Sequence, residues 1–309
     1  MASDRKPNTE PRPRRYAPFG AAREAQKPAA GLYLVATPIG NLGDITLRAL
    51  EVLAGADVIA CEDTRVTRRL TERYGIDTPL TPYHEHNAAE ARPKLLARLA
   101  AAQAVALVSD AGTPLISDPG YKLVREAAAA GHAVTAVPGA SAVLAALNVA
   151  GLPTDRFFFE GFLPPKQAAR QKRIAALAAI PATLVLFETG PRIAASLADL
   201  AEGLGSREAA VCRELTKLHE DVQRGGLASL AQAYAAESAE TRGEFVIVIA
   251  PPAPAEESAA DLDTLLTNAL ERVSVKEAVA EVALATGQPR RAVYQRALAL
   301  AKESGDDGQ

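Results

Sequence analysis

Short apolar runs alternate with segments of helical periodicity along the first half of the chain. The apolar runs have the length of buried strands, and they cover residues 32–36, 57–61, 78–82, 104–109 and 133–137. The segments between them show helical spacing, and they cover residues 46–53, 64–74, 88–102 and 121–130. Strands that alternate with helices predict a parallel sheet covered on both faces, so we expect an α/β domain over residues 31–153.

The pattern changes after the segment Gly151-Leu-Pro153. Further strand candidates are separated by helical segments, and they cover residues 156–160, 183–188, 209–213 and 244–250. The pair Gly225-Gly226 favours a turn. We therefore expect a second, mixed α/β domain over residues 154–252, and a two-domain α/β protein as the fold class.

The two ends of the chain differ from this core in composition. Residues 1–30 combine basic side chains with prolines, which is typical of a disordered basic tail. The segment Pro251-Pro-Ala-Pro254 predicts a rigid linker, which we place over residues 253–260. Residues 261–303 show helical spacing with a turn at Gly287, which resembles a helix-turn-helix, and residues 304–309 form a short tail.

Composition limits the classes of function. The chain has 309 residues and a formal net charge of −3, so any binding of nucleic acid needs local basic patches. Cys61 and Cys212 lie in apolar runs, which favours packed thiols and a cytoplasmic protein. No apolar stretch approaches the roughly 20 residues that span a bilayer. The cysteines and histidines lack the spacing of a zinc site, and we predict no metal site.

Loops rich in glycine and proline follow three of the predicted strands, and they cover residues 37–44, 109–120 and 138–142. Ligands of open parallel sheets bind beyond the carboxyl ends of the strands, where these loops lie. Glycine and proline form sharp turns and allow backbone groups to approach a ligand closely. The usual dinucleotide-binding and phosphate-binding glycine motifs are missing from the sequence. The loops suit a flat ring with polar edges joined to a small zwitterion.

Nine segments carry a resemblance to a known family: residues 34–46, 62–65, 86–87, 109–120, 138–142, 151–157, 160–164, 213–217 and 243–244. Through these segments, which occur in the family's order, the sequence is similar to the ribosomal RNA small-subunit methyltransferase I family. This family is a branch of the tetrapyrrole-methylase superfamily. One departure lies at Glu188-Thr-Gly-Pro-Arg192, where the family usually has a histidine before the arginine. No role of that histidine can be carried over.

The resemblance implies S-adenosylmethionine bound in a cleft between two α/β domains. It implies cofactor contacts from Gly40, Asp110, Ala111, Gly112, Thr113, Pro114, Ile116, Ser117, Phe162, Leu163 and Leu215. The reaction implied is 2′-O-methylation of a cytidine ribose in small-subunit (16S) ribosomal RNA. The superfamily commonly forms homodimers, so a homodimer is expected.

A ribose hydroxyl is a weak nucleophile, so a base or hydrogen-bond acceptor must assist as its proton leaves. Candidates at the ends of the predicted strands are Glu62, His86 and Asp118, with Asp63 and Glu188 as further choices. Phosphate contacts are predicted from basic side chains, with solvated surface charges as the alternative: Arg65, Lys166, Arg170, Lys172, Arg173, Arg290 and Arg291.

Two other functions stay open from the sequence. A methyltransferase acting on a tetrapyrrole ring shares the fold and the cofactor. A non-catalytic ribosome-binding module is the second alternative, because the departure at Glu188–Arg192 alters a family motif.

Overall fold

A computed structural model of the chain describes residues 14–116, 120–236, 242–253, 259–286 and 289–306. Residues up to Pro251 form one compact unit, and residues from Pro252 form a second. None of the described helices is long and apolar enough to cross a membrane.

The described chain begins with a small antiparallel pair, β1 (Arg15–Tyr16) and β2 (Arg23–Glu24). Tyr16 is buried in the core beside the first helix, and Arg14 forms an ion pair with Asp57 at 3.0 Å. The prediction of a disordered tail is therefore wrong for residues 14–30, because an aromatic side chain and an ion pair attach this segment to the domain. Residues 1–13 lie outside the described residues.

The first large sheet has five parallel strands in the order β5-β4-β6-β3-β7. Its strands are β3 (Gly31–Val35), β4 (Val58–Cys61), β5 (Leu80–Pro82), β6 (Ala104–Leu107) and β7 (Val134–Val137). The helices of this half are α1 (Leu47–Gly55), α2 (Thr64–Arg73), α3 (Ala88–Ala100), α4 (Tyr121–Ala129) and α5 (Ala142–Ala150). Buried apolar clusters on both faces explain why β4 and β6 are apolar throughout. The parallel α/β prediction is confirmed.

The second sheet is mixed, with the order β11-β10-β12-β9-β8. Its strands are β8 (Phe157–Phe162), β9 (Thr183–Thr189), β10 (Glu208–Arg213), β11 (Asp221–Gly226) and β12 (Glu244–Ile249). Only the pair β8–β9 is parallel among the pairs of this sheet in the described residues. The helices α6 (Gln167–Leu177), α7 (Gly190–Leu204) and α8 (Leu227–Ala236) complete this half.

The predicted turn at Gly225-Gly226 is wrong. Both glycines belong to β11, where they pair with Ala209 and Glu208. The strand lies at the edge of the sheet, and its side chains are exposed or half-buried. An edge strand without an apolar run leaves no periodic signal in the sequence.

Helix α5 links the two halves of the first compact unit. Its residues Val143 and Leu147 share one apolar cluster with Val185 of β9 and Val246 of β12. Ile39, from the loop after β3, belongs to the same cluster. This packing brings the carboxyl ends of the first sheet against one face of the second sheet.

The second compact unit contains α9 (Ala259–Leu270), α10 (Val275–Thr286) and α11 (Arg290–Asp306) around its own apolar core. Ser274 precedes α10, and Glu277 Oε2 accepts hydrogen bonds from Ser274 Oγ at 2.7 Å and from Ser274 N at 3.2 Å, so this carboxylate caps the start of the helix. Arg296 of α11 forms an ion pair with Asp263 of α9. The residue Gly287 at the predicted turn lies outside the described residues.

Candidate active site

A cavity of about 290 Å³ lies between the loops at the carboxyl ends of the first sheet and the second sheet. The first half contributes Ile39, residues 110–113, Ile116 and residues 141–143. The second half contributes Phe162, residues 187–189, Cys212, Glu214, Leu215, Lys217 and residues 244–246. The cavity therefore has the position at which open parallel sheets bind their ligands.

Hydrogen bonds hold the three glycine- and proline-rich loops together. Thr37 N donates to Gly112 O at 2.9 Å, and Gly112 N donates to Thr37 O at 3.0 Å. Thr113 Oγ1 donates to Ala140 O at 3.2 Å, which joins the third loop. Gly112 has a φ of +80°, and a Cβ atom there would lie 3.3 Å from Ile39 Cγ2. A glycine is needed at this bend because other residues are strained at positive φ.

Most residues expected to contact the cofactor line this cavity: Asp110, Ala111, Gly112, Thr113, Ile116, Phe162 and Leu215. Leu163 does not, because its side chain is only 2% exposed and belongs to the core of the second half. Successive side chains of an extended segment point to opposite faces, so Phe162 faces the cavity and Leu163 the core. The side chain of Leu163 is therefore not part of the cavity lining.

Gly40 and Pro114 also lie outside the lining of this cavity. A Cβ atom at Gly40 would overlap with the side chain of Lys217, so Gly40 lies under that lysine. Pro114 is buried within its loop. Ser117 lies outside the described residues, and its contact stays a prediction.

A lysine and two glutamates form a charged cluster in the wall of the cavity. Lys217 Nζ lies 2.9 Å from Glu214 Oε1 and 2.8 Å from Glu244 Oε2. Burial opposes the charge of Glu214, but Lys217 and the backbone N–H of Glu244 outweigh it and lower the pKa of Glu214. Burial likewise opposes the charge of Lys217, but the two glutamates outweigh it and raise the pKa of Lys217. The carboxylate of Glu214 and the ammonium group of Lys217 are thus both charged at neutral pH.

The backbone around this cluster is strained. Glu214 and Thr216 have φ values of +49° and +66°, although neither is glycine. Such conformations persist only where surrounding contacts hold them, and they are concentrated at functional sites. The family resemblance includes residues 213–217 and 243–244, but it implies a cofactor contact only for Leu215 among them. The lysine and the glutamates were missed because β10 and β12 are distant in sequence and meet only in the sheet.

Glu188 is a buried carboxylate in the same wall. Its oxygens accept hydrogen bonds from Thr189 N at 2.9 Å and from Ser196 Oγ at 2.5 Å, and Arg192 Nε lies 3.3 Å away. Arg192 also donates to Leu163 O at 2.6 Å. The altered family motif therefore retains a Glu–Arg pair that attaches β9 and α7 to the segment after β8. Pro191, at the position of the family histidine, is exposed in the first turn of α7.

The candidate bases Glu62 and His86 do not line the cavity. Burial, followed by the charge of Asp110, raises the pKa of Glu62. His86 is exposed, with its ring 6.0 Å from that of His84. Asp63 caps α2 and binds Arg65, which lowers the pKa of Asp63 to about 2. Asp118 lies outside the described residues.

The predicted phosphate contacts fall into two groups. Arg170 is buried and paired with Asp199 at 2.6 Å, so the prediction that it contacts RNA is wrong. Its position on the inner face of α6 explains this, since Ile174 and Leu177 lie on the same face. The remaining residues are wholly or partly exposed, and their contacts stay predictions: Arg65, Lys166, Lys172, Arg173, Arg290 and Arg291. Arg65 and Arg173 are paired with Asp63 and Glu160.

The described residues contain no group of three or more histidine, cysteine, aspartate or glutamate side chains that could hold a metal ion.

Comparisons with known proteins give the family. The model of the tetrapyrrole (corrin/porphyrin) methylases matches residues 31–231. The RsmI C-terminal HTH domain matches residues 256–301. The chain is 53% identical to a ribosomal RNA small subunit methyltransferase I of Mesorhizobium japonicum, over 89% of this chain and 94% of the relative. It is 48% identical to the protein of the same name from Xylella fastidiosa, over 85% and 97%.

Solved structures show the same fold at low sequence identity. A diphthine synthase matches with a TM-score of 0.55 and 20% identity, over 71% of this chain and 89% of that one. A cobalt precorrin-4 methyltransferase matches with a TM-score of 0.53 and 17% identity, over 71% and 94%. The chain belongs to the tetrapyrrole methylase family and, within it, to the ribosomal RNA small subunit methyltransferase I family.

Proposed function

We propose that this protein transfers a methyl group from S-adenosylmethionine to the 2′-hydroxyl of a cytidine ribose in small-subunit (16S) ribosomal RNA. Membership of a family of ribosomal RNA methyltransferases supports methyl transfer to this RNA. The observation that carries the proposal is the cavity between the two sheets, which is lined by loops at the carboxyl ends of the strands and by several carboxylate side chains. The cytidine and the 2′ position come from the family resemblance.

The cavity suits the methyl donor in charge. Four carboxylates and one ammonium group line it, namely Asp110, Glu188, Glu214, Glu244 and Lys217. S-adenosylmethionine supplies a methyl group bonded to a positively charged sulfur. A wall with more carboxylates than cations favours such a ligand over an anionic one.

The cavity also suits the donor in shape and polarity. Its volume of about 290 Å³ is close to the lower end of small-molecule sites. Apolar side chains such as Ile39, Ile116, Phe162 and Leu215 would cover a flat ring, and residues 110–113 would supply polar backbone groups. These residues would position the donor for the reaction.

The RNA would be held by basic side chains dispersed over the surface. Lys166 and Lys172 are exposed at and beyond the start of α6, and Arg290 and Arg291 are exposed at the start of α11. Since these basic residues lie on separate elements, affinity would come from several weak phosphate contacts. We therefore propose a structured ribosomal particle, rather than a short oligonucleotide, as the efficient substrate. A homodimer, a cytoplasmic location and the boundaries of the two α/β domains stay predictions.

The test uses purified protein, labelled S-adenosylmethionine and small subunits from cells that lack this modification. Nuclease digestion followed by mass spectrometry should find one 2′-O-methylcytidine in 16S RNA. A base-methylated product would contradict the ribose assignment. Transfer to a precorrin but not to subunits would favour the tetrapyrrole alternative. If calorimetry detected no binding of the donor, the ribosome-binding module would be favoured.

A further inference from the structure

A second, larger groove of about 1320 Å³ adjoins the cavity. Its walls include Ala17, Pro18, Gly20, residues 40–43 and the segment Thr216-Lys-Leu218, with Arg73 at one side. Of the described residues around these two spaces, only Lys217 lines both. The lysine therefore marks the place where an RNA nucleotide in the larger groove would meet a donor in the cavity.

Contacts on two sides hold the side chain of Lys217 between the groove and the cavity. Its aliphatic part lies over Gly40, where a Cβ atom would overlap with it. Its ammonium group binds Glu214 and Glu244 at 2.9 and 2.8 Å. Glu214 Oε1 also accepts a hydrogen bond from Glu244 N at 2.9 Å, which couples the two strand ends.

The other carboxylates of the cavity are less exposed than Glu244, and each accepts a hydrogen bond from a backbone N–H. Both oxygens of Glu188 accept hydrogen bonds, and its side chain is only 1% exposed. Asp110 Oδ1 accepts a hydrogen bond from Asp63 N at 3.0 Å. Glu214 accepts two hydrogen bonds at one oxygen. Glu244 stands apart, because its side chain is 77% exposed while it still lines the cavity and contacts Lys217.

We propose that Glu244 is the catalytic proton acceptor for the reacting ribose hydroxyl, and that Lys217 is the residue that positions its carboxylate. This inference rests on the proposed function and adds a base to it. In the transfer, the ribose oxygen forms a bond to the methyl carbon. The carbon–sulfur bond breaks with its electron pair remaining on sulfur, and the hydroxyl proton moves to a carboxylate oxygen of Glu244. The positive charge of the donor is thereby neutralised, and the proton is later released to water.

The first test compares Glu244→Gln and Glu244→Ala with the native chain on small ribosomal subunits. A positioned base contributes on the order of 100-fold or more, so both variants should lose at least that factor in kcat. Affinity for S-adenosylmethionine and for subunits, measured by calorimetry and filter binding, should stay within about threefold. Glu202→Gln is the matched control, because Glu202 is exposed on α7 away from both spaces.

Chemical rescue separates a proton acceptor from a structural residue. Formate should restore part of the rate of Glu244→Ala and none of Glu244→Gln, whose amide still fills the space. No rescue, together with a lower melting temperature or weaker donor binding, would overturn the proposal in favour of a structural role. Near-native kcat in either variant would overturn it directly.

Lys217 is tested by the pair Lys217→Met and Lys217→Arg. The methionine variant should lose about tenfold or more in kcat, and the arginine variant should recover part of it by keeping a cation between the glutamates. Donor affinity should not weaken in Lys217→Met, since removal of a cation favours a cationic ligand. If Lys217→Met lost donor binding instead, Lys217 would be a structural residue of the cavity. If the native chain itself does not methylate subunits, the proposed function is wrong. The variants are compared with an active native chain, so their results bear only on the roles of Glu244 and Lys217.

Discussion

The backbones of Thr37 and Gly112 exchange two hydrogen bonds, of 2.9 and 3.0 Å, and so join the loops that follow β3 and β6. This pairing gives the floor of the cavity its shape. It requires a positive φ at Gly112, with little space beside Ile39. The loop can therefore be tested with a single substitution.

Gly112→Val should abolish binding of S-adenosylmethionine while the protein remains folded. A branched side chain is strained at a φ of +80° and would press on Ile39 in the cavity wall. Isothermal titration calorimetry measures the loss, and circular dichroism checks the fold. Gly131→Val is the matched control, because Gly131 has a φ of +78° with open space around it. Unchanged affinity in a folded Gly112→Val protein would remove this loop from the site.

Gly40→Ala should lower kcat more than donor affinity. A methyl group at Gly40 would displace the Lys217 side chain from its position between the groove and the cavity. An alanine would also be strained at the φ of +155° that Gly40 adopts. Steady-state kinetics on ribosomal subunits measure the effect. Gly20→Ala provides the comparison, since Gly20 lines the same groove at positive φ with nothing within 4 Å. Equal rates for both alanine variants would contradict the link between Gly40 and Lys217.

Arg170→Ala should destabilise the fold by about 3–5 kcal/mol, because it leaves Asp199 buried without its cation. Asp199 Oδ1 also accepts hydrogen bonds from Gln167 and Gln171, which cannot replace the charge. Urea unfolding measures the change. Lys172→Ala, on the exposed face of the same helix, should leave stability within about 0.5 kcal/mol and weaken RNA binding. A stable Arg170→Ala protein with weaker RNA binding would restore the original prediction for this arginine.

Deletion of residues 255–309 should preserve donor binding and reduce methylation of subunits. The residues up to Pro251 form a compact unit that contains the whole cavity lining. The salt dependence of RNA binding should weaken, since phosphate contacts are lost. In the full chain, Arg290→Glu with Arg291→Glu should have a similar, smaller effect. Full activity without residues 255–309 would rule out a role for these helices in RNA binding.

Cys212 should titrate far above an ordinary thiol. Burial raises the pKa of Cys212 to about 11. Because the folded-state pKa is raised, the stabilising contribution is complete below about pH 9 and is lost as pH rises towards 11. In a Cys61→Ala background, thiolate absorbance near 240 nm should appear only close to pH 11. A thiolate at pH 9 in the folded protein would show that Cys212 is accessible.

The sequence predicted the strands and helices of the first half well, because buried parallel strands such as β4 and β6 are apolar throughout. It also predicted that the loops 37–44, 109–120 and 138–142 form one site, since carboxyl ends of parallel strands meet at one edge. The cofactor contacts expected from Asp110 and Gly112 in these loops came from the family resemblance. The edge strand β11 was missed, because its half-exposed side chains have no periodic pattern.

By itself, then, the sequence determined the alternation of elements, the family and the loops of the first half that line the cavity. Each of these depends on local composition or on contiguous motifs. Only the tertiary structure decided which face each side chain occupies, so Arg170 and Leu163 became buried while Phe162 faced the cavity. It also brought Glu214, Lys217 and Glu244 together. Antiparallel pairing of β10 with β12 joins residues about 30 positions apart, and no local pattern encodes such a contact.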